Sequence, residues 1–462
     1  MTTPGEAHPR IYLPQNDRLD DLLRADGYRF HSDHARLLLH FISIKLWTGD
    51  VDDNGYAHLM AAILRKWIQP RAYAALKADL MAAGVIECSP YSAGHFSSGF
   101  RIAAAFAGPP IRYEITYPPL ARKLFDWRRD FRTAATDAET QAAVARREPL
   151  LRHLRESLDR LSLPMSPTEL SVFLREQADP GHVQYVGLCI EHHDYEPITV
   201  DAFGQRVHSL LSRTSSALRP HLLLDGQPVA EVDLANSQPL LLAMLFFQQH
   251  SLKTSTSTST PARPRLGPGP FLPGPVPVPF QYVVHPPRML CIRGLRREAG
   301  EFLAVCEDGK LYDLLASDAG LSRDEAKRQL FRDVLFGKPH VQGPVTRAFG
   351  RHWPRLLRAI REYKVRHGYK AVAQALQRLE AAIVIDTICP RLMREMPGVP
   401  FLTIHDSALL TAGAAETVRD IMADEFAELG VRPTFRIKRR EPETGCAAPA
   451  EHAQTPRQRN AT

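Results

Sequence analysis

GQPVAEVDLANSQPLLLAML, Gly226 to Leu245, is the stretch on which the reading of this 462-residue chain turns. It leaves a turn, crosses a short apolar strand, reaches Asp233 and continues into an apolar, helix-like run. An acidic residue at the end of a buried strand is costly unless it is paired or binds a cation. A second such place is VPFLTIHDSALLT, Val399 to Thr411, where apolar segments enter and leave around His405-Asp406-Ser407. Strand, tight turn, strand predicts a hairpin with Asp406 at its tip. The two aspartates are far apart in sequence, so they meet only if their strands are neighbours in one sheet. In that case they form a dicarboxylate site suited to Mg²⁺, which prefers hard oxygen ligands. Taken singly, each aspartate reads more simply as a cap or a salt-bridge partner.

Between them lies SRDEAKRQLFRDVLFGK, Ser322 to Lys338, predicted as a helix that starts on an N-cap serine and runs to Phe336-Gly337. Arg323, Lys327 and Phe331 recur every four residues, so one face presents two cations and an aromatic ring. That face suits a nucleoside triphosphate, with the cations on phosphates and the ring on sugar and base. A solvated basic face is the competing reading of this helix by itself.

Outward from this centre, Ile115 to Leu163 reads as densely charged helix, either solvated or gripping a polymer. Ser32 to Ile102 reads as three helices followed by two short strands, the order of a winged helix. In that reading the Arg71 to Gly84 helix holds the recognition position, with Arg71 and Lys77 on its exposed side; the alternative is a small packing domain. Lys253 to Pro287 is so rich in Pro, Gly, Ser and Thr that it predicts a flexible insertion, and the stretch from Gly445 a disordered tail.

Composition bounds the answer. With 44% hydrophobic residues the chain fills more than one core, which excludes a stapled mini-scaffold, a collagen-like repeat and a mostly disordered protein. Lys and Arg number 58 against 51 Asp and Glu, a net charge of +7 that permits a polyanionic partner without demanding one. No apolar run is long enough to span a bilayer, there is no signal-like N-terminus, and the 6 cysteines form no C-x-x-C. The expectation is a reducing, cytoplasmic setting without a membrane.

Together these residues resemble the polymerase module shared by family A DNA polymerases, such as bacterial DNA polymerase I, and the single-subunit phage and mitochondrial RNA polymerases. VDLANSQ with Asp233 resembles the family's motif A. RDEAKRQLFRDVLFG, with Arg323, Lys327, Phe336 and Gly337, resembles motif B, and TIHDS with His405 and Asp406 resembles motif C. FGQRVHSLLSRTSSALRPHL resembles the primer-template segment before motif A, AFGRHWPRLLRAIREYK the stretch after motif B, and LQRLEAAIVIDTI the Gln-containing helix before motif C. The similarity covers about Asp201 to Arg436. The interval from Lys327 to the aromatic-Gly pair is one residue longer than the family's, leaving Leu335 or Phe336 for the place usually held by tyrosine. Ser407 follows the motif C aspartate, as in the RNA polymerase branch.

The resemblance implies an α+β right-hand fold with an antiparallel palm sheet and helical fingers and thumb. The expected division is a winged-helix-like domain at 1–110, a helical thumb-like or linker region at 111–200, and the first palm part at 201–252. The insertion at 253–287, fingers-like helices at 288–375, the second palm part at 376–440 and a tail at 441–462 complete it. It implies template-directed nucleotidyl transfer to a primer 3′-hydroxyl, with Asp233 and Asp406 holding two Mg²⁺, or Mn²⁺ in their place, and Lys327 protonating the leaving pyrophosphate. Arg323, Lys327, Phe331, Phe336 and Gln238 are the implied nucleotide contacts. Arg206, Arg219, Gln377 and His405 are the implied contacts to a DNA primer-template. Gln238, five residues after Asp233, stands where the family selects the sugar; its bulk favours deoxynucleotides, and sugar choice stays open. No segment for a proofreading exonuclease is expected. A replication role in a mobile element fits the compact architecture. The rival expectations are a primase or single-subunit RNA polymerase, and a non-catalytic DNA-binding protein with a degenerate palm.

Overall fold

A computed structural model of the chain describes residues 9–24, 32–68, 70–89, 98–129, 137–251 and 295–439. The expected insertion at 253–287, the expected tail at 441–462 and the turn of the N-terminal hairpin lie outside the described residues. The architecture is mixed α and β, and every strand pairing described is antiparallel.

In the N-terminal unit the helix Ser32–Trp47 buries Leu37, Leu38, Leu39 and Ile42. The strand Ala57–His58, the helices Ala61–Trp67 and Pro70–Ala82, and the strands Ile86–Cys88 and Gly99–Ile102 follow. Gly99–Ile102 lies centrally, with Ala57–His58 on one side and Ile86–Cys88 on the other. Leu76 and Leu80 from the third helix close on Phe100, forming a core separate from that of the rest of the chain. A ribbon pairing Arg10–Pro14 with Pro110–Glu114, and the helix Pro118–Arg129 with Leu120 and Leu124 inward, complete this core. The boundary expected at residue 110 therefore falls inside a paired strand, and the unit runs on to 129. Its apolar helix face, hidden among charges in the sequence, finds its partner here.

Ala138–Leu158 belongs instead to the larger core. Asp137 caps it, and Val144, Leu151, Leu154 and Leu158 are buried. Arg147 on the same helix is buried and pairs through Nε and an Nη with Asp386 at 2.7 Å each. The region 111–200 is thus divided between two cores.

The main sheet has Gln227–Leu234 at its centre. One neighbour is Ser407–Thr411, itself paired with Phe401–Ile404; on the other flank Phe435–Arg439 pairs along its length and Leu223–Leu224 at its start. Both faces of the central strand carry buried residues, from Val229 through Val232, as a strand covered on both sides requires. Ala415–Glu428 packs on it, and Ser237–Ser251, which follows the central strand, packs on Ala371–Ile383. The helices Leu295–Glu307, Leu311–Ala319, Arg323–Gln329, Pro344–His352 and Pro354–His367 form a second layer. Phe302, Phe349 and Trp353 interlock there, with ring centroids 4.8 to 5.5 Å apart. Trp353 leaves the helical conformation, at φ −131° and ψ 64°, and Pro354 starts the next helix, which turns the chain between the two. Among the described residues no helix is long and apolar enough to cross a membrane.

Candidate active site

Asp233 stands near the end of the central strand. Val232 is paired with Ala408, so Asp233 lies beside the His405-Asp406 turn that joins Phe401–Ile404 to Ser407–Thr411. The two strands that carry the aspartates are neighbours, the condition for a shared site. His405 has φ 55°, the left-handed region that non-glycine residues seldom occupy, and Ser407 is buried with its hydroxyl donating to the Ile404 carbonyl at 3.0 Å. Ser407 thereby closes the hairpin that presents Asp406.

Burial, then the nearby Glu380 and Asp233 carboxylates, push Asp406 up to about 7; a hydrogen bond from Ser237 works the other way. Two carboxylates that repel each other at the ends of adjacent strands want a cation between them. Among the described residues no three His, Cys, Asp or Glu side chains form a ready-made metal cage. Two carboxylates with water and substrate phosphates are the usual protein share for Mg²⁺, so the donor set fits that ion.

Glu380, on the Ala371–Ile383 helix, carries no signal in the motifs. It is buried, and Arg206 grips it with both nitrogens, Nε to Oε1 at 2.7 Å and Nη2 to Oε2 at 2.9 Å. Gln238 donates to the same carboxylate. Arg206 is thereby engaged within the protein, as is Arg219, whose Nη1 lies 2.8 Å from Glu231. Gln377, one turn before Glu380, packs on Gly204: a Cβ there would stand 2.4 Å from Gln377 Oε1 and 2.7 Å from its Cβ. Glycine is what lets the Phe203–Arg206 loop approach the helix.

His405 is held down to about 4 by burial and by the charges of Arg206, His208 and Arg219, so its ring is neutral at pH 7. His405 Nδ1, Asn236 Oδ1 and Gln238 Oε1 are buried without a hydrogen-bond partner. Each is a buried polar atom that a ligand or a water would satisfy.

The helix Arg323–Gln329 begins on Ser322, whose side chain accepts from the Glu325 amide. Arg323 and Lys327 share a face, and both stand over the Tyr312 ring, at 5.4 and 5.8 Å from its centroid. Arg323 also pairs with Asp313 at 3.2 Å. Tyr312 is buried; burial raises its hydroxyl far above the usual range, with the charges of Asp406 and Asp233 adding to the rise. The ring that Arg323 and Lys327 cover thus feels the charges of both aspartates, and it lies outside the segments that resemble the family's motifs.

Beyond Gln329 the helix widens into a π-turn over Leu330–Leu335, in which the Phe336 amide reaches back to the Phe331 carbonyl at 2.8 Å. A π-turn absorbs one extra residue within a helix. The longer interval from Lys327 to Phe336-Gly337 has this physical form. Leu335 is buried in the core, whereas Phe336 is half-buried and meets Phe331 edge-on at 5.3 Å. A Cβ on Gly337 would lie 2.1 Å from the Arg332 carbonyl, so glycine is required there. Buried Lys364 donates to the Val334 and Gly337 carbonyls at 2.7 Å each, satisfying groups that the turn frees.

No protein-family model matches the chain, and no curated protein does. Among solved structures it is similar to the POL domain of Pol1 from M. smegmatis, determined in complex with DNA primer-template and dNTP. Identity is 12% and the TM-score 0.25, over 68% of this chain and 64% of that one. The chain spans less than two thirds of that domain's length.

Proposed function

We propose that the chain is a template-directed nucleotidyltransferase that adds nucleotides to a primer 3′-hydroxyl. The observation that carries this reading is the meeting of Asp233 and Asp406 at the ends of neighbouring strands, whose charges act on the same Tyr312 ring that Arg323 and Lys327 cover. Asp233 and Asp406 hold Mg²⁺, which when bound lowers the pKa of an attacking hydroxyl and neutralises phosphate charge. Arg323 and Lys327 bind the triphosphate, and exposed Lys327 donates a proton to the departing pyrophosphate. Phe331 and Phe336 pack on base and sugar, a contact contributing about 1 to 3 kcal/mol. Neutral His405 contacts the primer terminus. Arg206, through Glu380, orients Gln238 toward the sugar, and Gln377 and Arg219 brace the primer-template side.

Deoxynucleotides are the first expectation because Gln238 fills space at the sugar position. Ribonucleotides are favoured by one observation: buried Gln238 Oε1 lacks a donor, and a 2′-hydroxyl is one. Primer extension on a DNA template with Mg²⁺, run with dNTPs and rNTPs in parallel, separates the two. Extension by the wild type and none by Asp233→Ala supports the reading. A wild type that binds primer-template yet extends with neither set removes it in favour of a non-catalytic binding protein.

The strand order of the N-terminal unit fits a winged helix that docks on DNA. Arg71 is exposed at the start of Pro70–Ala82, but Lys77 turns its ammonium over the Phe100 ring at 5.2 Å, and the exposed face is otherwise mainly alanine. A more basic surface lies where the end of Ala61–Trp67 meets Pro118–Arg129, joined by Trp67 against Trp127 at 5.5 Å and by Lys123 reaching the Lys66 carbonyl. Arg65, Lys66, Arg122 and Lys123 are exposed there, with no acidic partner among the described residues. Reversing all four to Glu is expected to weaken duplex binding at least about tenfold and flatten the slope of log K against log salt by roughly 3 to 4. An unchanged slope removes this surface from DNA contact.

A further inference from the structure

We infer that Lys438 is a resident counter-ion of the carboxylate site: its ammonium occupies at Asp233 the place a divalent cation takes, and so sets how much metal the site needs. The inference rests on the metal-binding reading of Asp233 and Asp406. Phe435–Arg439 runs beside the central strand with Lys438 opposite Glu231 and Arg436 opposite Asp233. Residues two apart on a strand share a face, so Glu231, Asp233 and Lys438 gather on one side of the sheet. Lys438 Nζ lies 3.1 Å from Glu231 Oε1 and 3.0 Å from Asp233 Oδ2. A cation 3.0 Å from a carboxylate oxygen screens that oxygen from a second cation, and the two compete.

The arrangement also supplies a retreat. The Lys438 side chain is 55% exposed, so its tip swings toward water without leaving a packed core. Glu231 stays behind as its anchor, itself held by Arg219 at 2.8 Å. Displacement by metal therefore breaks one ion pair and keeps the other. Glu231, shared between two cations, is not free to be a ligand.

The test is Mn²⁺ binding to the full chain without nucleotide, followed by electron paramagnetic resonance of free ion, for wild type, Lys438→Met, Lys438→Arg and Asp233→Asn. Lys438→Met is expected to bind Mn²⁺ about tenfold more tightly, as removal of one competing charge at this separation allows. Lys438→Arg should stay near wild type. Equal or weaker binding by Lys438→Met, with binding by the wild type lost in Asp233→Asn, overturns the counter-ion role while leaving the metal site standing. Wild type and Asp233→Asn that bind alike overturn both. Should Lys438→Met unfold, Lys438→Gln removes the same charge with a polar tip suited to an exposed strand.

Discussion

Asp406→Asn is expected to abolish primer extension and, in the metal-free protein above neutral pH, to make the fold more stable than wild type. The first effect follows from loss of a carboxylate that holds metal, on the order of 10³-fold or more in rate. The second follows from proton linkage. Folded Asp406 has a pKa of about 7, whereas an unfolded aspartate titrates near about 3.9. Between those values the native state keeps a proton that the unfolded state has released. The native state binds more protons, so stability falls as pH rises through this window. Below the lower value the contribution is fully present; above the upper one it is gone, replaced by the cost of a charged, crowded carboxylate. Asp406 keeps a small contact with solvent, which relieves part of that cost and leaves about 2 to 3 kcal/mol at pH 8. Asparagine keeps the shape of the neutral acid and bears none of it. Urea unfolding with chelator from pH 4 to 8.5 should show the variant's advantage growing with pH and vanishing near pH 4. A variant less stable than wild type at pH 8 contradicts the crowded-carboxylate account, and one that still extends primers contradicts the catalytic one.

Glu380→Ala should be among the most damaging single changes in the protein. It leaves Arg206, now mostly buried and doubly bonded to Glu380, as an uncompensated charge, at a cost of about 3 to 5 kcal/mol. It also frees Gln238 from its acceptor, loosening the residue placed at the sugar. At the same time a negative neighbour disappears from Asp406, whose pKa then falls. Magnesium must displace the Asp406 proton to bind, so at fixed sub-saturating Mg²⁺ the acid limb of the extension rate should move to lower pH. Glu380→Gln, which retains shape and a hydrogen bond to Arg206, should show the pH displacement with less unfolding. An Arg206→Met, Glu380→Leu pair should recover much of the stability, since the replaced ions leave no orphan charge. Loss under about 1 kcal/mol in Glu380→Ala, or an acid limb that stays in place in both variants, would falsify the coupling.

These two residues also mark the limit of what the motifs say. Glu380 lies within a helix whose quoted pattern singles out Gln377, and it resembles any solvated helical carboxylate until Arg206 is brought against it. The same holds for Lys438 and Tyr312, whose partners come from distant segments. Charged helices mislead in a similar way: Arg147 looks like a surface cation in AVARREPLL, but it is buried against Asp386. Sequence spacing reports a residue's own helix or strand face, not the charge that tertiary packing delivers to it.

What the sequence determined by itself was local. The apolar run into Asp233, the strand-turn-strand around Asp406, and the four-residue spacing of Arg323, Lys327 and Phe331 each depend on neighbours within a turn or a hairpin, where backbone periodicity rules. It also carried the extra residue before Phe336, without its conformation. The tertiary structure decided that the two aspartate strands are neighbours, that Glu380 crowds Asp406, that Lys438 sits at Asp233, and that a π-turn pinned by Lys364 places Phe336 rather than Leu335 outward. Those outcomes depend on sheet order and on charges brought close in a low-dielectric interior, where proximity and not spacing sets the energy.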